Sequence, residues 1–180
     1  MNKFYENQLE SQFTPAELIL FYILNKILQS EKTVSLEKLA DLLPIPILFA
    51  SKRKKIQRFL SLPKFNVTSL WLPIIKNWIN SQFDIKEPVY LVIDRTKWIP
   101  NNLMMVSIIY QQRAIPIYFE LLPKLGNSNF EQQKNVFNQV LPLFKEYKVV
   151  VLGDREWEFG RLRKLAGRGK YRLLFKIKEK

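Results

Sequence analysis

At 180 residues, 47% hydrophobic and 13% aromatic, the chain has room for about one domain plus a small appendage, and enough apolar mass for a core; wholesale disorder is excluded. With no cysteine and no histidine, it has no disulfides, zinc fingers, thiol nucleophiles, Ser-His-Asp triads or histidine-dependent nuclease chemistry, and a catalytic metal would be a hard one on oxygen ligands. The formal net charge of +13, from 29 basic and 16 acidic residues, favours a polyanionic partner.

The first half of the chain reads as helical. Met1 to Glu6 lacks the basic-then-apolar layout of a signal peptide. The longest apolar run, Leu18 to Leu24, is far short of the ~20 residues that span a bilayer. A cytoplasmic protein with no membrane partner is expected. Thr14-Pro15 with Glu17 forms an N-cap, N1 and capping-box pattern, and Leu18, Phe21, Leu24 and Leu28 follow at helical spacing. Ser35 should start a short second helix, stopped by Pro44-Ile45-Pro46. Ser51 should open a third, carrying Lys52, Arg53, Lys54, Lys55 and Arg58, and a fourth should run from Ser69 to Phe83. Short helices with tight turns, the third strongly basic, resemble a helix-turn-helix DNA module; a small bundle with one solvated face fits the same pattern.

Past Pro88 the pattern changes to strands. Val89 to Asp94 is short, apolar and β-branched, as in a buried strand ending at Asp94. Leu103 to Tyr110 and Ala114 to Phe119 flank Gln111-Gln112-Arg113 as a hairpin. A loop at 126–129 precedes a helix bearing Phe130, Phe137, Val140 and Phe144, with a kink or restart expected at Pro142. Lys148 to Gly153 is a second buried strand ending at Asp154. A helix over Glu156 to Ala166 and an alternating strand over Tyr171 to Lys178 complete the order. Hairpins make the first three strands antiparallel, and the crossover returns the fourth parallel to the first. If those two are neighbours, Asp94 and Asp154 approach each other across strands ~4.8 Å apart, close enough to share a metal. This is a ribonuclease-H-like mixed α/β sheet preceded by a small all-α region. The expected division is a helical region over 1–85 and a sheet domain over 86–180.

Charge is concentrated in two places. Leu48 to Lys76 holds seven basic residues and no acid, and Arg155 to Lys180 holds ten basic residues against three acids. Both look like surfaces for nucleic acid. An Asp at the end of an apolar strand is costly to bury unless paired or metal-bound, and two in one sheet point to a metal site. Each is followed by an Arg, Arg95 and Arg155, suited to hold a phosphate bidentately. Two surface ion pairs worth little are the plainer alternative.

Asp94-Arg95-Thr96-Lys97-Trp98 and Gly153-Asp154-Arg155-Glu156-Trp157 resemble the first and second acidic motifs of insertion-sequence transposases with a DDE catalytic domain. Ile115-Pro116 and Leu122-Pro123-Lys124-Leu125-Gly126-Asn127-Ser128 are similar as well. The resemblance covers about residues 85 to 178, and residues 30 to 62 more loosely. It implies Mg²⁺ (or Mn²⁺) held by three carboxylates, with Asp94 first and Asp154 second, for cleavage and strand transfer of DNA. It also implies double-stranded DNA partners, namely element ends and target, and a homo-oligomer assembled on DNA. Lys52, Arg53, Lys54, Lys55, Arg58, Arg95 and Arg155 are the expected DNA contacts.

In that family the third carboxylate sits on a helix well beyond the strand ending near Lys178, in a motif with Tyr and Arg. Glu179 lacks those neighbours, and Glu156 belongs to the second motif. The expectation is therefore an incomplete, C-terminally truncated catalytic domain with little activity of its own. Two alternatives are a non-catalytic DNA-binding protein that occupies element ends or inhibits an intact transposase, and an RNA-binding protein with a coincidental Asp pair. The lack of an RNA-recognition signature weighs against the latter.

Overall fold

The structure, a computed structural model, describes residues 3–98, 101–122, 128–153 and 171–175. The chain divides into two compact units, Met1–Ile74 and Ile75–Lys180.

The helical unit begins with a helix that no sequence signal marked, α1 (Lys3–Glu10), which contributes Leu9 to the core. The second, α2 (Pro15–Glu31), opens on the expected capping box. The Glu17 N–H donates to Thr14 Oγ1 at 3.4 Å, and the Thr14 N–H donates to Glu17 Oε2 at 2.8 Å. It stops at Lys32, whose φ of 50° is left-handed and whose N–H donates to the Leu28 carbonyl. Ser35 caps α3 (Leu36–Leu42) as expected.

The next helix, α4, spans Phe49–Leu60, so it starts before Ser51 rather than at it. The Leu48 carbonyl accepts from the Ser51 and Lys52 N–H groups, and no side chain caps this end. Ile56 and Phe59 turn inward, joining Leu39, Ala40 and Leu43 in the core. Phe13 fills the centre, its ring centroid 5.3 Å from that of Phe65 and 5.8 Å from that of Phe21.

The helix expected from Ser69 to Phe83 is in fact two pieces, a π-helical turn at Val67–Trp71 and α5 (Leu72–Gln82). Proline explains the break. Pro73 has no N–H to give the Ser69 carbonyl four residues back. That carbonyl accepts instead from Gln12 Nε2 at 3.1 Å, and the Leu72 N–H reaches back five residues to Val67.

The sheet unit contains β1 (Pro88–Trp98), β2 (Asn101–Tyr110), β3 (Arg113–Leu122), β4 (Lys148–Gly153) and β5 (Tyr171–Phe175), in the order β3-β2-β1-β4-β5. Pairs β1–β2 and β2–β3 are antiparallel, and pairs β1–β4 and β4–β5 are parallel. That order and sense make the fold a ribonuclease-H-like mixed α/β sheet. The hairpin loop is two residues, Gln111-Gln112, not three. Both have positive φ, 47° and 64°, as a primed turn requires, and Arg113 already pairs with Tyr110.

The crossover helix α6 (Phe130–Val140) starts at Asn129, in a capping box with Gln132. Pro142 tightens the chain into a 3₁₀ turn, Leu141–Phe144, which keeps Phe144 fully buried. Val136, Phe137 and Val140 of α6 pack over Leu91, Ile93 and Val106. At the hairpin end of the sheet, Trp78 and Phe83 pack on Tyr110, whose hydroxyl donates to Gln82 Oε1 at 2.6 Å. The helix expected over 156–166 and the strand end at 176–178 lie outside the described residues.

Candidate functional site

The strand that carries Asp94 does not end there, contrary to what its apolar run suggests. Asp94 is the seventh of the eleven residues of β1. The parallel pairing with β4 is described as far as Ile93 with Gly153. Asp94 to Trp98 continue against Met105 to Asn101 of β2. The antiparallel partner satisfies the backbone, so the polar stretch Asp94-Arg95-Thr96-Lys97 remains extended.

Alternation then assigns faces. Ile93 points to the α6 side and is buried, whereas Asp94 lies on the other face beside Met105 and is exposed. Its Oδ2 accepts from Thr96 Oγ1 at 3.5 Å, a long contact between residues two apart on the same face. Thr96 is a site neighbour that the i, i+2 spacing marks only once β1 continues past Asp94. Half-buried Arg95 falls on the opposite face. Next to Asp94 on its own face, Leu103, Met105, Phe119 and Leu121 line a trough of about 510 Å³ with Asn101.

Asp154, Arg155, Glu156 and Glu179 lie outside the described residues. Gly153, which precedes Asp154 in the chain, is in register with Ile93, which precedes Asp94. Among the described residues no three acidic side chains gather as a metal-binding group. The donor chemistry of Asp94 nonetheless suits Mg²⁺ or Mn²⁺, since an exposed carboxylate, with one long contact among the described residues, offers hard oxygen ligands.

The basic residues of the helical unit fall into two groups. Lys52 Nζ donates to the Leu43 carbonyl at 2.8 Å, and Arg53 Nε donates to Glu37 Oε1 at 3.2 Å, so both join α4 to the end and start of α3. The Glu37 carboxyl is held below its ordinary pKa by its own backbone N–H first and then by Arg53. Lys54, Lys55 and Arg58 are exposed. The segment between α3 and α4, residues 43–48 with Pro44 and Pro46, is longer than the 3–4-residue turn of a helix-turn-helix.

Lys64, which carries no signal in the sequence, donates to the Gln12 carbonyl at 2.7 Å and to Glu17 Oε2 at 2.8 Å. Its ammonium lies 4.9 Å from the Phe13 ring centroid. Lys64 is the main reason the Glu17 carboxyl titrates below its usual range, followed by the Thr14 backbone N–H. No helix among the described residues is long and apolar enough to cross a membrane.

No family model and no curated protein matches this chain. Among solved structures it is similar to the Drosophila P element transposase strand transfer complex, with 11% identity, a TM-score of 0.34, and coverage of 94% of this chain and 47% of that one. It is also similar to the Mos1 strand transfer complex (14% identity, TM-score 0.29, coverage 84% and 56%). A third is the mariner Mos1 paired end complex with Mg (14% identity, TM-score 0.26, coverage 87% and 57%). The chain thus spans about half the length of the solved structures it matches. The ribonuclease-H-like assignment rests on strand order and register, independently of these likenesses.

Proposed function

We propose that this chain is the DNA-binding and partial catalytic region of a DDE transposase of the insertion-sequence type, in which Asp94 and Asp154 are two of the carboxylates that hold Mg²⁺ or Mn²⁺. The observation that carries this reading is the Ile93–Gly153 register, with an Asp next in the chain after each member of the pair. Bound there, a hard divalent ion supplies nucleophile activation and charge stabilisation for in-line phosphoryl transfer. Asp94 contributes its carboxylate from the face opposite α6, and Asp154 contributes the second. Arg155 serves as a phosphate contact in the sheet unit, whereas Arg95, half-buried on the face opposite Asp94, is not placed to share that role. In this reading residues 1–85 grip double-stranded DNA, residues 86–180 carry the chemistry, and copies of the chain assemble on the DNA.

A polypeptide of these 180 residues supplies two of the three carboxylates of the resemblance. It should bind metal weakly and cleave duplex DNA little or not at all. A titration with Mn²⁺, followed by electron paramagnetic resonance, tests the pair. Asp94→Asn and Asp154→Asn should each remove most of the binding. Full binding in either variant would refute a shared site. Metal-dependent cleavage that Asp94→Asn abolishes would instead show the pair to be catalytically sufficient and overturn the incomplete reading. The exposed cations of α4 favour a second reading, a non-catalytic DNA-binding protein, because they need no metal. That reading is the one left standing if DNA binding persists and neither Asp binds an ion.

A further inference from the structure

We infer that α4 grips the phosphate backbone of duplex DNA side-on through Lys54, Lys55 and Arg58, while Lys52 and Arg53 on the same helix are structural and make no DNA contact. This rests on the DNA-binding reading above and divides its basic helix into two roles. At 3.6 residues per turn, Lys54, Lys55 and Arg58 fall within about 100° of the helix surface. The adjoining arc holds Phe59 and Ile56, which are buried, and Lys52, whose ammonium satisfies the Leu43 carbonyl. Arg53 is paired with Glu37, which cancels its charge locally. The helix itself has no acid, so the exposed arc presents three cations with nothing of opposite sign beside them on α4.

Three clustered cations complement a polyanion that carries one charge per ~1.7 Å of axis. The position of the cations along the helix argues for backbone contact over base reading. Recognition helices read base edges from their N-terminal turn, with bidentate Arg, Asn or Gln side chains. Here the α4 sequence opens on Phe49 and Ala50, and the exposed cations begin further along, at Lys54. Contacts of this kind position the duplex without selecting its sequence.

The test is the salt dependence of binding by the full chain to two duplexes of equal length and unrelated sequence. The triple variant Lys54→Gln, Lys55→Gln, Arg58→Gln should reduce the log–log slope by about 2.7 on both, at about 0.9 for each phosphate no longer neutralised, and leave the melting temperature unchanged. The pair Lys52→Met, Arg53→Leu should lower the melting temperature and change the slope by less than about 0.9. If the unmodified chain binds with a steep slope that the triple variant retains, or the pair lowers the slope as much as the triple, the division of roles is wrong and the DNA-binding reading survives. A shallower slope on one duplex alone would overturn backbone gripping in favour of base reading. Salt-insensitive or absent binding by the unmodified chain overturns the DNA-binding reading, and the inference with it.

Discussion

Apart from the exposed Lys54, Lys55 and Arg58 of α4, the helical unit ties its charged residues into the fold more closely than the sheet unit ties Asp94. In the helical unit, Glu17, Glu37, Lys52, Arg53 and Lys64 are tied into caps and inter-helix hydrogen bonds, and each could be lost only at the expense of local geometry. In the sheet unit, Asp94 is exposed and has one long contact among the described residues, on the strand face opposite the helix that covers the core. The contrast separates charge that builds the fold from charge left available for a ligand. Sequence alone does not separate them, because Arg53 and Lys54 are neighbours of the same sign with different fates.

Core truncation should have the largest effect in both units. Phe144→Ala should cost about 3–5 kcal/mol and Ile56→Ala about 2–5 kcal/mol, read by urea unfolding, because both side chains are fully buried. A loss below about 1 kcal/mol at either site would contradict the core described for that unit. Capping comes next. Thr14→Ala in the helical unit and Asn129→Ala in the sheet unit should each cost about 1 kcal/mol, since each removes one half of a capping box.

A gain is expected at the hairpin. Replacing Gln111-Gln112 by Asn-Gly should stabilise the sheet unit by about 0.5–1 kcal/mol, because both positions have positive φ that Gln adopts at a cost. No gain would mean that the turn relaxes to another type in solution.

The smallest effect is the acid response of the helical unit. Glu17 titrates lower when folded than when unfolded, so its contribution is fully present above the ordinary carboxylate pKa of about 4.3. It is lost as pH falls through the folded value. Melting temperature should therefore decline below about pH 4.3, less steeply in Glu17→Gln. An unchanged slope in that variant would show that Lys64 does not engage Glu17 in solution.

Much of the helical unit is legible because capping chemistry is local. Thr14-Pro15 with Glu17 and Ser35 mark helix starts by their own hydrogen bonds. Ser51 misleads because the start of α4 has no side-chain cap, so the sequence offers no marker at Leu48. The split before α5 is decided by Pro73 together with Gln12, 57 residues away from Ser69, and only the proline half is visible in sequence. In the sheet unit, the antiparallel run of β1 to β3 and the parallel sense of β4 follow from hairpins and the crossover rule, whereas the neighbouring of β1 and β4 is only a condition in the sequence and is supplied by their pairing. The length of β1 does not, because the polar run after Ile93 looks like a strand end until β2 is seen to pair with it. Asp94 and Asp154 are marked in the sequence only by their motifs; that Thr96 shares the face of Asp94 requires the strand to continue.

The most direct test of the central claim is a crystal structure of the chain grown with Mn²⁺ and phased to locate the ion. An anomalous peak in contact with the carboxylates of both Asp94 and Asp154 is expected. Carboxylates more than roughly 8 Å apart, too far to serve ions spaced ~4 Å, or an ion bound away from both, would contradict it.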